Sequence, residues 1–577
     1  MRILYRLRAA VGAIPRASVR RQARQFLAAT SDCRQTQRSL LQKLLELNAD
    51  SRFSREYRLG DIRSVDQFRS RLPVADYEFF RPHIERLKQG DHSALLGDKN
   101  RLLMFSLSSG TTSESKYIPI TQQFLDDYRR GWQVWGIHVL DDHPAINSRK
   151  IVQFSSDYDR FRAPGGTPCG NISGLVAAMQ KPIVRTMYSV PGSVAKIADP
   201  TAKNYTAMRL AVADPHVALI TTANPATLIH LAKLANLDRE ELIRDIADGT
   251  LSSRYDIPTK VRQKLRWQIF RRNRSRARQL ERLIAENGHL YPVDYWPEIA
   301  VLAVWSAGSA GAYLNTLRRF YGDVPVRDHG LSASEGRMTI PLQDNAAAGI
   351  LDLSTHFFEF IPEEEYSSEN PNILAAHELQ QERRYYILLT TSSGLYRYDI
   401  CDVVACVGFY NTTPMLEFLH KGAHIANVTG EKVSESQVVT AVRSCLERMQ
   451  ISLGDFTLCP VWGEPPSYQL LAEPRNEWPP NIGESLARMV DDRLQKLNCE
   501  YRDKRQTGRL AEMKWIPLPK GTWNSFSEKR QQKLGGSLEQ YKHPCLVPDV
   551  NFSQELIQKH VLPKADRPSL EPANQSC

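Results

Sequence analysis

The sequence predicts an α/β protein, with a large N-terminal domain of mixed β-sheets and a small β-barrel, followed by a smaller α+β C-terminal domain. Three observations lead there. A chain of 577 residues exceeds what one hydrophobic core sustains, so two or more domains are needed. Apolar strand-like runs alternate with helical periodicity as far as about Val428, and from Ser434 the order of elements changes. The apolar share of 42% and charged share of 24% are those of an ordinary globular chain, and no apolar run reaches the ~20 residues that span a bilayer.

Residues 1–27 contain no acidic residue and many arginines, with Leu4, Leu7, Val11 and Ile14 spaced as one helical face until Pro15 interrupts it. Residues 1–30 are therefore a basic helical segment, open to three readings: contact with an anionic membrane, packing on its own domain, or an organellar transit peptide. Helical patterns and charged loops alternate over 34–87. Strand-like runs follow at 150–156, 217–224, 300–308, 324–331 and 350–362, separated by helical segments. Between them, the region from Lys260 to Arg282 carries a helical stripe of Val261, Leu265, Ile269, Phe270, Ala277, Leu280 and Leu283 among many Lys and Arg, which reads as a solvated helical face. No zinc-finger, basic-zipper or RNA-recognition signature accompanies it, so nucleic acid is not an expected partner despite the net charge of +11.

Strand-like pieces at 385–391 and 401–409 follow closely enough to form antiparallel sheet or a small barrel, which closes a domain over 31–425. A helix to Met449, strands at 456–462 and 468–472, a helix over 483–497 and a strand at 510–516 then make a compact unit over 426–562. The proline-bearing tail 563–577 is expected to lack structure. Nine cysteines stand in no framework spacing and no secretory pattern precedes them, which fits a reducing cytoplasm. Cys401 and Cys406 read as buried thiols, because no second Cys/His pair stands at zinc spacing.

The chemistry-bearing residues begin with Ser108-Ser109-Gly110-Thr111-Thr112-Ser113-Glu114-Ser115-Lys116. Hydroxyls and backbone N–H groups can donate to phosphate oxygens, Gly110 removes a blocking Cβ, and Lys116 adds positive charge. An ordinary turn would look similar. Ser334-Glu335 follows a strand-like segment, so Glu335 can project from a strand end and hold Mg²⁺ beside a triphosphate; a surface turn is the competing reading. Asp402, in Tyr398-Asp399-Ile400-Cys401-Asp402, is placed at a strand start where a carboxylate can accept from both hydroxyls of a ribose. Lys432, in Gly430-Glu431-Lys432, lies at the domain junction, and Lys542 lies in the C-terminal unit.

In order and combination these segments resemble the acyl-adenylate-forming superfamily, and more closely the auxin-responsive Gretchen Hagen family of acyl acid amido synthetases. Leu72-Pro73-Val74, Phe358-Glu359-Phe360-Ile361-Pro362, Gly408-Phe409 and Gln540-Tyr541-Lys542 extend the resemblance over nearly the whole chain. The resemblance implies an ATP- and Mg²⁺-dependent enzyme that adenylates a small carboxylic acid and passes the acyl group to an amino acid, with a C-terminal cap that swings between the two steps. It implies that Ser108, Ser109, Gly110, Thr111, Thr112 and Lys116 hold phosphates, that Ser334, Tyr398 and Asp402 bind the nucleotide, that Glu335 binds Mg²⁺, and that Lys432 and Lys542 act from the hinge and the cap. The chain departs from the superfamily loop at Ser113 and Ser115, where glycine and proline are common. The alternatives are an acid–thiol ligase such as an acyl-CoA ligase, and an inactive membrane-associated relative.

Overall fold

A computed structural model describes residues 11–109, 115–180, 182–307, 313–366, 368–422, 425–451, 453–474, 478, 481–523, 525–526 and 543–558. The chain divides into two compact units: Met1–Ser108 with Lys116–Gly422, and Ser109–Ser115 with Ala423–Cys577.

The larger unit opens with the helix Ala13–Ala29. Pro15 sits in its first turn, where a missing N–H leaves no bond unmade, so the proline admits the helix rather than interrupting it. The apolar face also differs from the one the sequence suggests: Val11 and Ile14 are exposed, while Ala23 and Phe26 are packed in the core and Arg20 pairs with Asp141 at 2.6 Å. Leu4 and Leu7 lie outside the described residues.

Three sheets position the site. The first has the order Ser115–Thr121, Leu102–Ser109, Pro168–Gly170, Phe161–Arg162. The second is wholly parallel, in the order Lys150–Gln153, Val217–Thr221, Val301–Ala303, Val326–Arg327. Its central strands are short and apolar, as strands covered on both faces must be. Where the sequence predicts antiparallel sheet or a small barrel, the third sheet is seven-stranded and antiparallel throughout. Its order is Thr339–Ile340, Gly349–Leu351, Thr413–Lys421, Tyr398–Tyr410, Arg384–Thr390, Phe357–Pro362, Leu374–Ala375.

Residues 260–282 form two helices, Thr259–Ile269 and Arg274–Asn287. Val261, Leu265, Ile269, Ala277 and Leu280 are buried as their spacing requires, but Phe270, at the break between the helices, is exposed.

The smaller unit has its own core, built on Val438, Val442, Leu458, Leu470, Leu486, Val490 and Tyr501. The hairpin Ile425–Ala426/Val433–Ser434 leads into the helix Glu435–Met449, which Ser434 and Gln437 close with a reciprocal capping box. The strands Leu453–Val461, Ser467–Pro474 and Lys514–Pro517 form one sheet. The helix Ile482–Leu497 is followed by a second, Cys499–Gln506, which the sequence reading omits; Asn498 caps it through Tyr501 N. Residues 563–577 lie outside the described residues.

Candidate active site

Glu335 is held by a tight hairpin. Ser332–Ala333 pairs with Gly336–Arg337, leaving Ser334 and Glu335 as its two-residue turn. This corrects the expected position at a strand end. A Cβ on Gly336 would come within 2.5 Å of His356 Nε2, so only glycine lets the hairpin seat so closely. Ser106 Oγ, on the strand Leu102–Ser109, donates to Ser334 Oγ at 3.2 Å and ties the turn to the strand that leads into the Ser/Thr loop. Glu335 is only 8% exposed, yet among the described residues it has no hydrogen-bond or ion-pair partner. Its charge acts on Lys421 and Tyr398, and a carboxylate set in such a turn is a suitable oxygen ligand for a bound cation.

Asp402 lies within the strand Tyr398–Tyr410 rather than at its start, opposite Lys421 on the neighbouring strand Thr413–Lys421. Lys421 Nζ pairs with Asp402 Oδ1. Burial depresses the lysine's pKa, but Asp402 and then Glu335 outweigh it and hold the ammonium above its usual value. Tyr398, at the head of the same strand, is fully buried, and its hydroxyl has no hydrogen-bond partner among the described residues. Burial first, then the nearby Glu335 carboxylate, raises that phenol far above its ordinary range. Glu335, Tyr398, Asp402 and Lys421 thus share one electrostatic neighbourhood. Lys116 joins it from the strand Ser115–Thr121: it lies 5.6 Å from the Tyr77 ring centroid and its charge reaches Cys401.

The head of the Tyr398 strand is pinned by buried charge. Arg397 Nε donates to Glu359 Oε2 at 3.0 Å, while Arg69 Nε donates to Glu359 Oε1 at 2.9 Å. Arg397 also reaches Leu72 O, while Ala75 N donates to Arg397 O at 3.1 Å and Asp399 N donates to Ala75 O at 2.8 Å. Leu72-Pro73-Val74 and Phe358 to Pro362, noted in the sequence only as matching segments, thereby set where Tyr398 and Asp402 stand.

Sequence reasoning missed Lys421, whose signal is cross-strand pairing that no local pattern carries. It also missed the carboxyl ends of the parallel strands, where open α/β sheets bind ligands. There Asp328 accepts from Ser306 N at 2.5 Å, Ser306 Oγ at 2.6 Å and Gly330 N at 2.6 Å. Thr221 Oγ1 lies 3.0 Å from His329 Nε2, and Trp132 packs edge-on against the His329 ring at 5.1 Å. Burial lowers the His329 pKa to about 3, so the imidazole is neutral.

Of the remaining predicted residues, Ser108 and Ser109 end the strand Leu102–Ser109, while Gly110, Thr111, Thr112 and Lys542 lie outside the described residues. Lys432 belongs to the smaller unit. It has φ of 46° and follows a turn organised by Glu431, which accepts from Val428 N at 2.8 Å, Thr429 N at 2.7 Å and Tyr468 Oη at 2.5 Å.

Comparison with known proteins places this architecture in a class. Its fold is that of the GH3.15 acyl acid amido synthetase, with a TM-score of 0.65 at 19% identity over 95% of this chain and 98% of the other. It also matches 2-hydroxyisobutyryl-CoA ligase, a structure holding 2-HIB-AMP and CoA, with a TM-score of 0.50 at 13% identity over 90% and 91% of the two chains. The chain belongs to the GH3 family: the family's N-terminal domain matches residues 22–326, its central domain 349–421 and its C-terminal domain 436–551. Among its relatives are the jasmonoyl–L-amino acid synthetase GH3.5 of Oryza sativa subsp. japonica, 24% identical over 91% of this chain and 94% of the relative, and the indole-3-acetic acid-amido synthetase GH3.3 of Arabidopsis thaliana, 22% identical over 92% of each.

Proposed function

We propose that the protein is an ATP-dependent acyl acid amido synthetase. In the first step a carboxylate oxygen of the acid attacks the α-phosphorus of ATP, the bond to the β-phosphate oxygen breaks, and acyl-AMP and pyrophosphate form. In the second an amino acid amine attacks the acyl carbon, the bond to AMP breaks, and the nitrogen loses its proton as the amide forms. The observation that carries this reading is the meeting of the nearly buried Glu335, which has no hydrogen-bond or ion-pair partner among the described residues, with the Tyr398 hydroxyl and the Asp402–Lys421 pair, in a chain matching all three GH3 domains.

Asp402, paired with Lys421, accepts from ribose hydroxyls. Glu335 would hold Mg²⁺, which supplies neutralisation of the triphosphate charge. Ser108, Ser109, Gly110, Thr111, Thr112 and Lys116 cradle phosphates; catalysis then consists of positioning and charge compensation rather than a protein nucleophile. The acid lies at the carboxyl ends of the parallel strands, beside Thr221, His329 and Trp132, where aromatic walls and a neutral imidazole suit an apolar acid. Lys432 and Lys542 act from the hinge and the cap, and the enzyme works in the cytoplasm.

The test is product analysis with Mg-ATP and a panel of indole, aryl, fatty and jasmonate-like acids, offered mixed amino acids and coenzyme A together. Acid–amino acid amides are the expected products. Thioesters without amides would replace this reading with an acid–thiol ligase.

A further inference from the structure

Between Asp256 and Glu281 the chain carries nine Lys and Arg and no acidic residue. Two of the nine are internal structure: Arg262 donates to Leu251 O and Ser252 O, and Arg276 to Val212 O and Tyr295 O. The other seven, Lys260, Lys264, Arg266, Arg271, Arg272, Arg274 and Arg278, are all exposed, and none forms an ion pair with the described residues. Within this basic surface Trp267 is 72% and Phe270 66% exposed, the two most exposed aromatic side chains among the described residues. They stand three residues apart at the end of the helix Thr259–Ile269, whose packing is already supplied by Val261, Leu265 and Ile269. Neither ring contributes to the core, and both cost solubility.

We infer that residues 260–274 are a docking surface for an anionic lipid bilayer, with Trp267 and Phe270 entering the headgroup boundary and the surrounding Lys and Arg pairing with lipid phosphates and carboxylates. An indole and a phenyl ring set among cations are what an interfacial anchor requires, since the rings partition at headgroup depth and the cations answer the negative surface potential. A nucleic acid would also answer the charge, but it would stack bases on the free face of an aromatic ring. Here the Arg266 guanidinium lies 4.6 Å from the Trp267 centroid and takes up one of the two faces that bases would stack on. The inference stands apart from the proposed reaction. It also differs from the membrane contact expected of the N-terminal segment, whose described helix buries Ala23 and Phe26 in its own domain.

The full-length protein should co-sediment with vesicles containing about one-third phosphatidylserine and not with pure phosphatidylcholine vesicles, the binding weakening as salt rises. Trp267→Ala/Phe270→Ala, which leaves the charge unchanged, should lose affinity by about tenfold or more, as should Lys264→Glu/Arg266→Glu/Arg271→Glu. Unaltered circular dichroism and unaltered adenylation in vesicle-free solution show that both variants are folded; removal of residues 1–12 should leave binding intact. Absence of vesicle binding by the wild type, undiminished binding by the aromatic variant, or binding lost only with residues 1–12 would overturn the inference. So would tight binding of single-stranded RNA with no response to anionic vesicles.

Discussion

Lys421 is the residue on which the proposed nucleotide pocket most depends. Its ammonium is the counter-charge for Asp402, which is 2% exposed; removing it leaves a buried carboxylate without compensation, typically a cost of about 3–5 kcal/mol. Lys421→Met should therefore lower the thermal midpoint sharply as well as ATP affinity, whereas Glu335→Gln, which breaks no hydrogen bond or ion pair among the described residues, should leave stability within about 1 kcal/mol of wild type while adenylation falls at least a hundredfold. Differential scanning calorimetry beside an adenylation assay separates the two. A second residue-scale prediction concerns pH. Burial lowers the His356 pKa to about 3, so between there and the unfolded value near 6.5 only the unfolded chain takes up the proton, and this residue's contribution to stability is lost as pH falls below 6.5. The slope is up to about 1.4 kcal/mol per pH unit, and denaturant titrations from pH 7 to 5 should show it flattened in His356→Gln.

At the scale of elements, the Ser332–Arg337 hairpin and the turn before Lys432 determine where functional side chains stand. Gly336→Ala would drive a methyl group into the His356 ring and should cost about 1–3 kcal/mol, with loss of magnesium-dependent activity beyond the loss of folded protein. Glu431→Gln turns one of the two acceptor oxygens that serve Val428 N, Thr429 N and the Tyr468 hydroxyl into a donor; its effect should be about 1–3 kcal/mol on unfolding of the smaller unit, read by hydrogen exchange across 425–434. These elements also mark how far the sequence could be read. Glu335 and Asp402 were legible as residues, because acidic groups beside Ser334 and Tyr398 belong to a family pattern, but their positions were not. The hairpin turn at Ser334-Glu335 depends on His356 packing under Gly336, and Asp402's place inside a strand depends on its pairing with Thr413–Lys421. Both are long-range facts. Periodicity succeeded where one buried face repeats, as with Val261, Leu265 and Ile269, and misplaced Phe270, where the helix ends and periodicity stops applying.

For the whole molecule, the change of element order after Val428 was visible in the sequence because helix and strand periods differ, and a helix as short as Cys499–Gln506 was not, since its eight residues bury only Tyr501. In the proposed enzyme the larger unit assembles a nucleotide-handling site from Glu335, Tyr398, Asp402 and Lys421. Acid-dependent exchange of labelled pyrophosphate into ATP, measured over the acid panel for the wild type, Glu335→Gln and Asp402→Asn, tests it most directly. The wild type should exchange with at least one acid, and both variants, each still folded by circular dichroism, should lose a hundredfold or more. Exchange at wild-type rate in both variants would contradict that assignment.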